Sequence, residues 1–309
     1  MKPERKAIVV GRGQVGKHLA NFINDHFPTL WWCDDIETLD AQRLSHLGPL
    51  AVVNAAGKTD LQWCEENARE AFRCNVSAPL GLLRACQFNH VPLIHLSSGC
   101  IWDGPYIRGL GFKPEDRPTP ASYYAWTKAA CDSMMMAEAR VGLNILRPRQ
   151  VFSGVWTPRN LLVKLLNYEK LLATPNSMTS LKTIADTVLI LLRNPGWTRT
   201  WNVYDRGIIT PLRVGEMLAE AGLRDVPEEI SKDELNSWHK PRRVDTVLHD
   251  RWFEHVVNPP SVEDTLKEAI NALVASRTLP SLLGHQQVVV TQPTSLVNGT
   301  AGSMVGAAG

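Results

Sequence analysis

A glycine-rich turn, Gly11-Arg12-Gly13-Gln14-Val15-Gly16, constrains this chain more than any other feature. An apolar run at 7–10 leads into it, and residues 15–23 after it carry apolar side chains at helical spacing. Strand, glycine turn and helix in that order form the context in which G-x-G-x-x-G signals a dinucleotide site. The glycines permit a tight turn and close backbone approach. The helix start offers unpaired N–H groups and a positive dipole end to a pyrophosphate.

The rest of the first half repeats that rhythm. Short apolar runs at 30–33, 51–54, 93–96 and 144–146 alternate with helical patterns at 68–74, 80–88 and 128–141. The runs at 7–10, 51–53 and 93–96 are apolar at nearly every position, as expected of strands covered on both faces. The fold class predicted is α/β, a Rossmann-like doubly wound parallel sheet. Beyond Arg147 prolines become frequent, at Pro148, Pro158, Pro175, Pro195 and Pro211, and helical patterns fall near 159–169, 184–192 and 212–221. We therefore expect a nucleotide-binding domain over 1–150, with some later segments returning to it, and a smaller C-terminal substrate-binding lobe over 151–277. Residues 278–309 carry no Lys, Arg, Asp or Glu and end in Gly, Ala, Ser and Thr; they are expected to be a flexible tail outside the fold.

Composition narrows the partners. The 309 residues are 44% hydrophobic and 21% charged, enough for a sizeable core, and 33 basic against 31 acidic residues leave a net charge of +2. So even a balance does not suit a protein that grips nucleic acid. No run reaches the length needed to cross a membrane, and no secretory leader is visible. Cys33, Cys64, Cys74, Cys86, Cys100 and Cys131 form neither a C-x-x-C pair nor a Cys/His ladder. No metal site and no disulfide framework are expected, and a reducing cytoplasm fits.

For the cofactor, Asp34 and Asp35 close the second strand, where an acid can hold a ribose hydroxyl. An acid there favours NADH, whereas Arg12 within the turn can pair with a 2′-phosphate and favours NADPH; both remain open. Asn54, Ala55, Ala56 and Lys58 after the third strand, and Asn75, are expected along the same cleft.

Tyr124-Ala-Trp-Thr-Lys128 sets a phenol and an ammonium on one helical face. A neighbouring cation stabilises a phenolate, so Tyr124 is expected to titrate nearer neutrality and to deliver a proton. Ser97-Ser98 follows the strand at 93–96, at the carboxyl edge where open α/β sheets bind ligands. Together these residues resemble the short-chain dehydrogenase/reductase superfamily in its extended form.

A closer resemblance rests on Asn54-Ala-Ala-Gly57, Trp63-Cys-Glu65, Ser98-Gly-Cys-Ile101, Gly109-Leu-Gly-Phe-Lys-Pro-Glu-Asp116, Pro158-Arg-Asn160, Asn167-Tyr-Glu-Lys170 and Pro175-Asn-Ser-Met-Thr179. From about Lys6 to Leu273 the chain resembles the nucleotide-rhamnose synthase/epimerase-reductase family, relatives of dTDP-4-dehydrorhamnose reductase. The resemblance implies epimerisation at C3 and C5 of a UDP- or dTDP-linked 4-keto-6-deoxy-glucose, then NAD(P)H reduction at C4 to the β-L-rhamnose. It assigns reduction to Ser98, Tyr124 and Lys128, and epimerisation to Cys100 and Lys164. The family's turn usually reads GxxGxxG, one residue longer than here, and a basic residue often stands where Asp34-Asp35 stand.

The chemistry is consistent with the residue types. Protons at C3 and C5 flank one C4 carbonyl, so donors at that oxygen stabilise the enolate of either exchange, and inversion needs two groups on opposite faces. Trp102, Gln150, Arg159, Asn160, Asn176, Met178 and Arg243 are expected to contact the nucleotide sugar. Two other readings stand beside this one: a reductase without epimerase activity, and a non-catalytic NAD(P)-binding regulatory subunit on the same fold. Oligomeric state, a homodimer included, is open.

Overall fold

The computed structural model describes residues 5–104, 111–140, 142–238 and 241–278, the side chains of 238 and 278 excepted. Of the tail expected over 278–309 all but Thr278, which ends a helix, lies outside these residues, as do Gly109 and Leu110 of the resemblance.

The apolar runs become strands because their residues have no polar face to turn outward. β1 (Ala7–Val10) and β3 (Ala51–Asn54) are buried at every position, and β2 (Thr29–Trp32) runs along the edge. β4 (Leu93–Leu96) and β5 (Leu143–Pro148) continue the sheet, also buried throughout. The order is β2-β1-β3-β4-β5-β9, with β9 at Arg199–Val203 and every neighbouring pair parallel. The chain passes from β2 back across β1 to β3, so the crevice at the carboxyl ends of β1 and β3 is the switch point where such sheets bind ligands.

Helices α1 (Gln14–Asn24), α2 (Ala41–Leu47), α3 (Leu61–Glu66), α4 (Ala68–Phe72), α5 (Ala78–Phe88) and α6 (Tyr123–Glu138) connect the first five strands. Two apolar cores fill the two faces of the sheet. α8 (Leu181–Arg193) and α11 (Arg251–Val257) pack into the first of them, so that core draws on residues well past 150, as β9 does. Two-residue β6 (Val151–Phe152) and β8 (Thr179–Ser180) pair in parallel, as do β7 (Lys170–Leu172) and β10 (Glu228–Ile230). Around them α7 (Leu161–Leu165), α9 (Pro211–Glu220) and α12 (Val262–Thr278) enclose a third core about Phe152, Leu162 and Met178, and α10 (Lys232–Trp238) lies at the rim. The helix read near 159–169 is shorter than its pattern, because Asn160 caps it and the chain turns into β7. Among the described residues no helix is long and apolar enough to cross a membrane.

Candidate functional site

The glycine turn is held from behind. Gly11 has φ +130°, a left-handed value that favours glycine, and its carbonyl accepts from the Trp31 indole at 2.8 Å. A Cβ on Gly16 would stand 2.3 Å from that carbonyl oxygen, so α1 starts against the turn with no room for a side chain. Gly13 caps α1 without a side-chain partner, leaving the first amides directed at the cleft. These features fit a pyrophosphate lying across the turn.

In front of the turn is a cavity of about 460 Å³, within the range of small-molecule sites. It is lined by Gly13, Gln14 and Val15 at one end, by Ser98, Cys100, Tyr124 and Lys128 in the middle, and by residues from Gln150 to Asn176 and from Arg242 to Val244 at the other. Ser122 caps α6 by accepting from Ala125 N at 3.2 Å, and Glu65 accepts from Tyr123 N at 2.7 Å. Those two contacts fix the start of α6, and with it the face carrying Tyr124 and Lys128. Both side chains are buried. Lys128 Nζ donates to the Leu96 carbonyl at 3.1 Å, tying α6 to the end of β4 immediately before Ser97-Ser98.

Electrostatics differ from the expectation at Tyr124. Burial raises its phenol above the ordinary tyrosine value; the Cys100 sulfur adds to this, and a hydrogen bond with the Ser98 hydroxyl opposes it. Burial likewise lowers Lys128 below the ordinary lysine value, against the pull of Cys131 and Asp132. Desolvation outweighs the Tyr-Lys attraction that the spacing suggests. The phenol therefore holds its proton at neutral pH, the form that donates to a carbonyl oxygen.

Asn75 fastens the cofactor side. It lies on a π-turn over Arg73–Ser77 and clamps the loop after β3, accepting from Lys58 N at 2.8 Å and donating to Lys58 O at 2.9 Å. It also donates to Thr127 Oγ1 at 3.2 Å, beside Lys128. Asn54 accepts from Ala56 N at 3.0 Å and meets the buried His95 ring. Asn54 and Asn75 thus act behind the cleft wall, of which Ala55 and Ala56 form part. Asp34 is exposed and Asp35 caps the turn at Ile36–Thr38 and approaches Arg73 at 3.7 Å; neither lines the cavity, nor do Arg12 or Lys58.

At the lobe end, Gln150, Arg159, Lys164, Asn176 and Arg243 line the cavity. Arg159 overhangs the glycine turn, its Nη1 lying 3.8 Å from where a Gly13 Cβ would be. Gln150 holds a left-handed φ of +45°, and its Oε1, like Ser97 Oγ, is buried without a partner, which leaves two polar groups for a ligand. Three expected contacts lie elsewhere. Trp102 is fully buried between Phe112 and the Arg147 guanidinium, Met178 belongs to the third core, and Asn160 spends its amide on Ser153 O and Val155 O. Lys232 bridges Asp103 and Asp245 at 2.8 and 3.0 Å, fastening the strand of chain that carries Arg243 across the lip.

Arg149 was not among the expected residues. It is buried at the turn between β5 and β6, and its Nη1 donates to Cys100 Sγ at 2.9 Å. One signal points there in the sequence, a second arginine two residues after Arg147, but it carries no motif.

The parallel sheet, its glycine turn and a Ser/Tyr/Lys set over the switch point together define an extended short-chain dehydrogenase/reductase fold. Residues 6–203 match the RmlD substrate binding domain family, and the chain belongs to it. It is 33% identical over 178 residues to the Arabidopsis thaliana bifunctional dTDP-4-dehydrorhamnose 3,5-epimerase/dTDP-4-dehydrorhamnose reductase, covering 55% of this chain and 58% of that protein. A trifunctional UDP-glucose 4,6-dehydratase/UDP-4-keto-6-deoxy-D-glucose 3,5-epimerase/UDP-4-keto-L-rhamnose-reductase of the same plant is 32% identical over 178 residues, 55% of this chain but 26% of that longer one. The chain thus spans between about a quarter and three fifths of these relatives. Among solved structures, the L780 UDP-rhamnose synthase of Acanthamoeba polyphaga mimivirus superposes with a TM-score of 0.80 at 20% identity, covering 87% of this chain and 99% of that one. A Bacillus anthracis dTDP-4-dehydrorhamnose reductase in complex with NADP has a TM-score of 0.74 at 15% identity, covering 88% and 99%. MoeE5 in complex with UDP-glucuronic acid and NAD has 0.72 at 19%, covering 89% and 100%.

Proposed function

We propose that this chain is a 3,5-epimerase/4-reductase of a UDP- or dTDP-linked 4-keto-6-deoxy-glucose, using NADH or NADPH. The observation that carries the reading is one cavity lined by Ser98, Tyr124 and Lys128 together with Cys100 and Lys164. Reduction needs the first three; the last two are the pair a two-face proton exchange requires. Glycines with no space for a Cβ and the orphaned Ser97 and Gln150 atoms fit a dinucleotide in the cleft. Bound there, a reduced nicotinamide supplies the hydride for C4.

The protein's residues do the rest. Ser98 and Tyr124 donate to the C4 oxygen, stabilising the enolate during exchange at C3 and C5. Cys100 and Lys164 exchange protons with opposite faces of the sugar, one taking and the other returning. In the reductive step Tyr124, protonated by virtue of its burial, passes its proton to the C4 oxygen, and Lys128 supplies compensating charge. Arg159 and the α1 amides meet phosphate. The activity is placed in the cytosol, in line with cysteines spaced for neither pairing nor metal.

Incubation with the 4-keto-6-deoxy sugar nucleotide in D₂O without reduced cofactor tests this. Label at C3 and C5, lost in Cys100→Ser and in Lys164→Ala, is the expected result. No label, with NAD(P)H oxidation on sugar already epimerised, leaves a reductase alone; neither activity leaves a binding subunit.

A further inference from the structure

Arg149 is a buried cation without a carboxylate. The residue is 6% exposed, and among the described residues no Asp or Glu is in an ion pair with it. Its fork is spent instead on neutral acceptors: Nη2 donates to Asn176 Oδ1 at 2.7 Å and to Val244 O at 2.6 Å, while Nε is buried with no partner. Nη1 donates to Cys100 Sγ at 2.9 Å. The backbone is clamped too, since Thr179 Oγ1 accepts from Arg149 N at 2.9 Å and donates to Arg149 O at 3.0 Å. Asn176 is itself steadied by Thr246 N at 3.1 Å. Two separate stretches of chain, 176–179 and 244–246, therefore hold Arg149 with its guanidinium on the sulfur.

A negative charge beside it is favourable, because neutral acceptors repay only part of the solvation that a buried guanidinium loses and its Nε has no partner. Of the groups it touches, only Cys100 can become an anion. A neutral sulfur is a weak acceptor, a thiolate a strong one. Among ionisable groups, Tyr123 and Tyr124 of α6 and Cys64 of α3 share an apolar cluster with Cys100, and the cations Lys128, Arg159 and Arg242 line the same cavity. Lys164 and Arg243 share the cavity from the lobe side.

We infer that Arg149 is the positioning residue and counter-ion of Cys100 in epimerisation. This rests on the epimerase reading above. When the sulfur takes a proton from the sugar, the C–H bond breaks, an S–H bond forms, and the freed electron pair enters the enolate held by Ser98 and Tyr124. When the sulfur returns a proton the same bonds change in reverse. In either direction the sulfur is anionic on one side of the transfer, and Arg149 stabilises that side. Hydride reduction at C4 involves no change of charge on sulfur, so the two halves of the reaction depend on Arg149 unequally.

The test compares Arg149→Met and Arg149→Lys with the wild-type protein, in a Cys33→Ser background that removes the exposed thiol. Three rates are read: solvent deuterium entry at C3 and C5, reduction of sugar already epimerised, and iodoacetamide labelling of Cys100 followed by peptide mass. Arg149→Met is expected to slow exchange by about 100-fold, the scale of one acid-base group, and to slow reduction at least ten times less. Labelling at Cys100 is expected to fall about tenfold, since iodoacetamide attacks the thiolate. Arg149→Lys, which keeps charge without the fork, is expected to regain a measurable part of both losses. Exchange and labelling at wild-type rates in Arg149→Met overturn the inference. So does an equal loss of exchange and reduction in both variants, which makes Arg149 a structural strut. A wild-type protein that reduces the epimerised sugar but takes up no label overturns the epimerase reading instead, and the labelling contrast then decides the Arg149–Cys100 pairing by itself.

Discussion

Replacing Gly16 by alanine asks whether the glycine turn is shaped by its carbonyl. The added Cβ stands 2.3 Å from Gly11 O and 3.0 Å from Gly11 C. To relax the first contact to the 3.0 Å that folded proteins tolerate, turn and helix must separate by roughly 0.7 Å, and backbone on both sides cannot rotate away as a side chain would. The carbonyl is also held: Trp31 Nε1 donates to it at 2.8 Å, and Gly11 N donates to Trp32 O at 3.2 Å. Overpacking of this kind costs about 1–3 kcal/mol, and losing the indole bond about 1 kcal/mol more, against up to about 1 kcal/mol regained from alanine's helix propensity. A net cost of about 2 kcal/mol lowers the melting temperature by roughly 4–8 °C for a fold of this size. The amides at the start of α1 move with the turn, and a displacement approaching 1 Å weakens the binding of a rigid dinucleotide by about tenfold or more. Titration of NADPH and NADH fluorescence measures the second effect and thermal unfolding the first. Gly81→Ala is the control, because a Cβ on that α5 position meets no atom within 4 Å and alanine there is neutral or stabilising. Wild-type affinity and melting temperature in Gly16→Ala refute the reasoning.

Other expectations follow from the buried charges. Tyr124→Phe should lower reductive turnover by about 10²- to 10⁴-fold, seen as lost NAD(P)H oxidation with sugar binding retained, because it removes the proton donor alone. Lys128→Met should abolish reduction yet melt higher than the wild-type protein at pH 7. Burial lowers the Lys128 value in the folded state, so the unfolded chain binds more protons and stability rises with pH until the unfolded lysine value is passed; the gain in Lys128→Met should shrink as pH approaches that point. Asp132→Ala strands Arg147, which now donates to Asp132 at 2.7 Å with both side chains buried. Loss of one partner of such a pair costs about 3–5 kcal/mol, or roughly 10 °C in melting temperature, while the double change Asp132→Leu, Arg147→Met should recover most of it. A double variant no better than the single one would show that packing, not the stranded charge, sets the loss.

The sequence alone was sufficient wherever a local pattern has one physical solution. The runs at 7–10, 51–53 and 93–96, apolar at nearly every position, have no face to offer water, so they became central strands within a residue of where the pattern puts them. Gly11 and Gly16 announce a turn with no room for side chains, and the spacing of Tyr124 and Lys128 places them one turn apart on α6. What lay outside local pattern is what the tertiary structure decided. β9 reads as Arg-Thr-Trp-Asn-Val, with no apolar run to mark it, and it is a strand because β5 offers it an open edge. Trp102 and Met178 carry the chemistry of ligand contacts but were drawn into packing, and Asp34 and Asp35 stayed at the surface, since nothing in a residue's type says which way the chain will turn it. Likewise the phenol of Tyr124 is shifted upward by burial, an effect that depends on everything packed around it and on none of its sequence neighbours. Arg149 is the sharpest case. It meets Cys100 from 49 positions away, Asn176 from 27 and Val244 from 95, so its significance exists only after folding has brought four distant segments to one point.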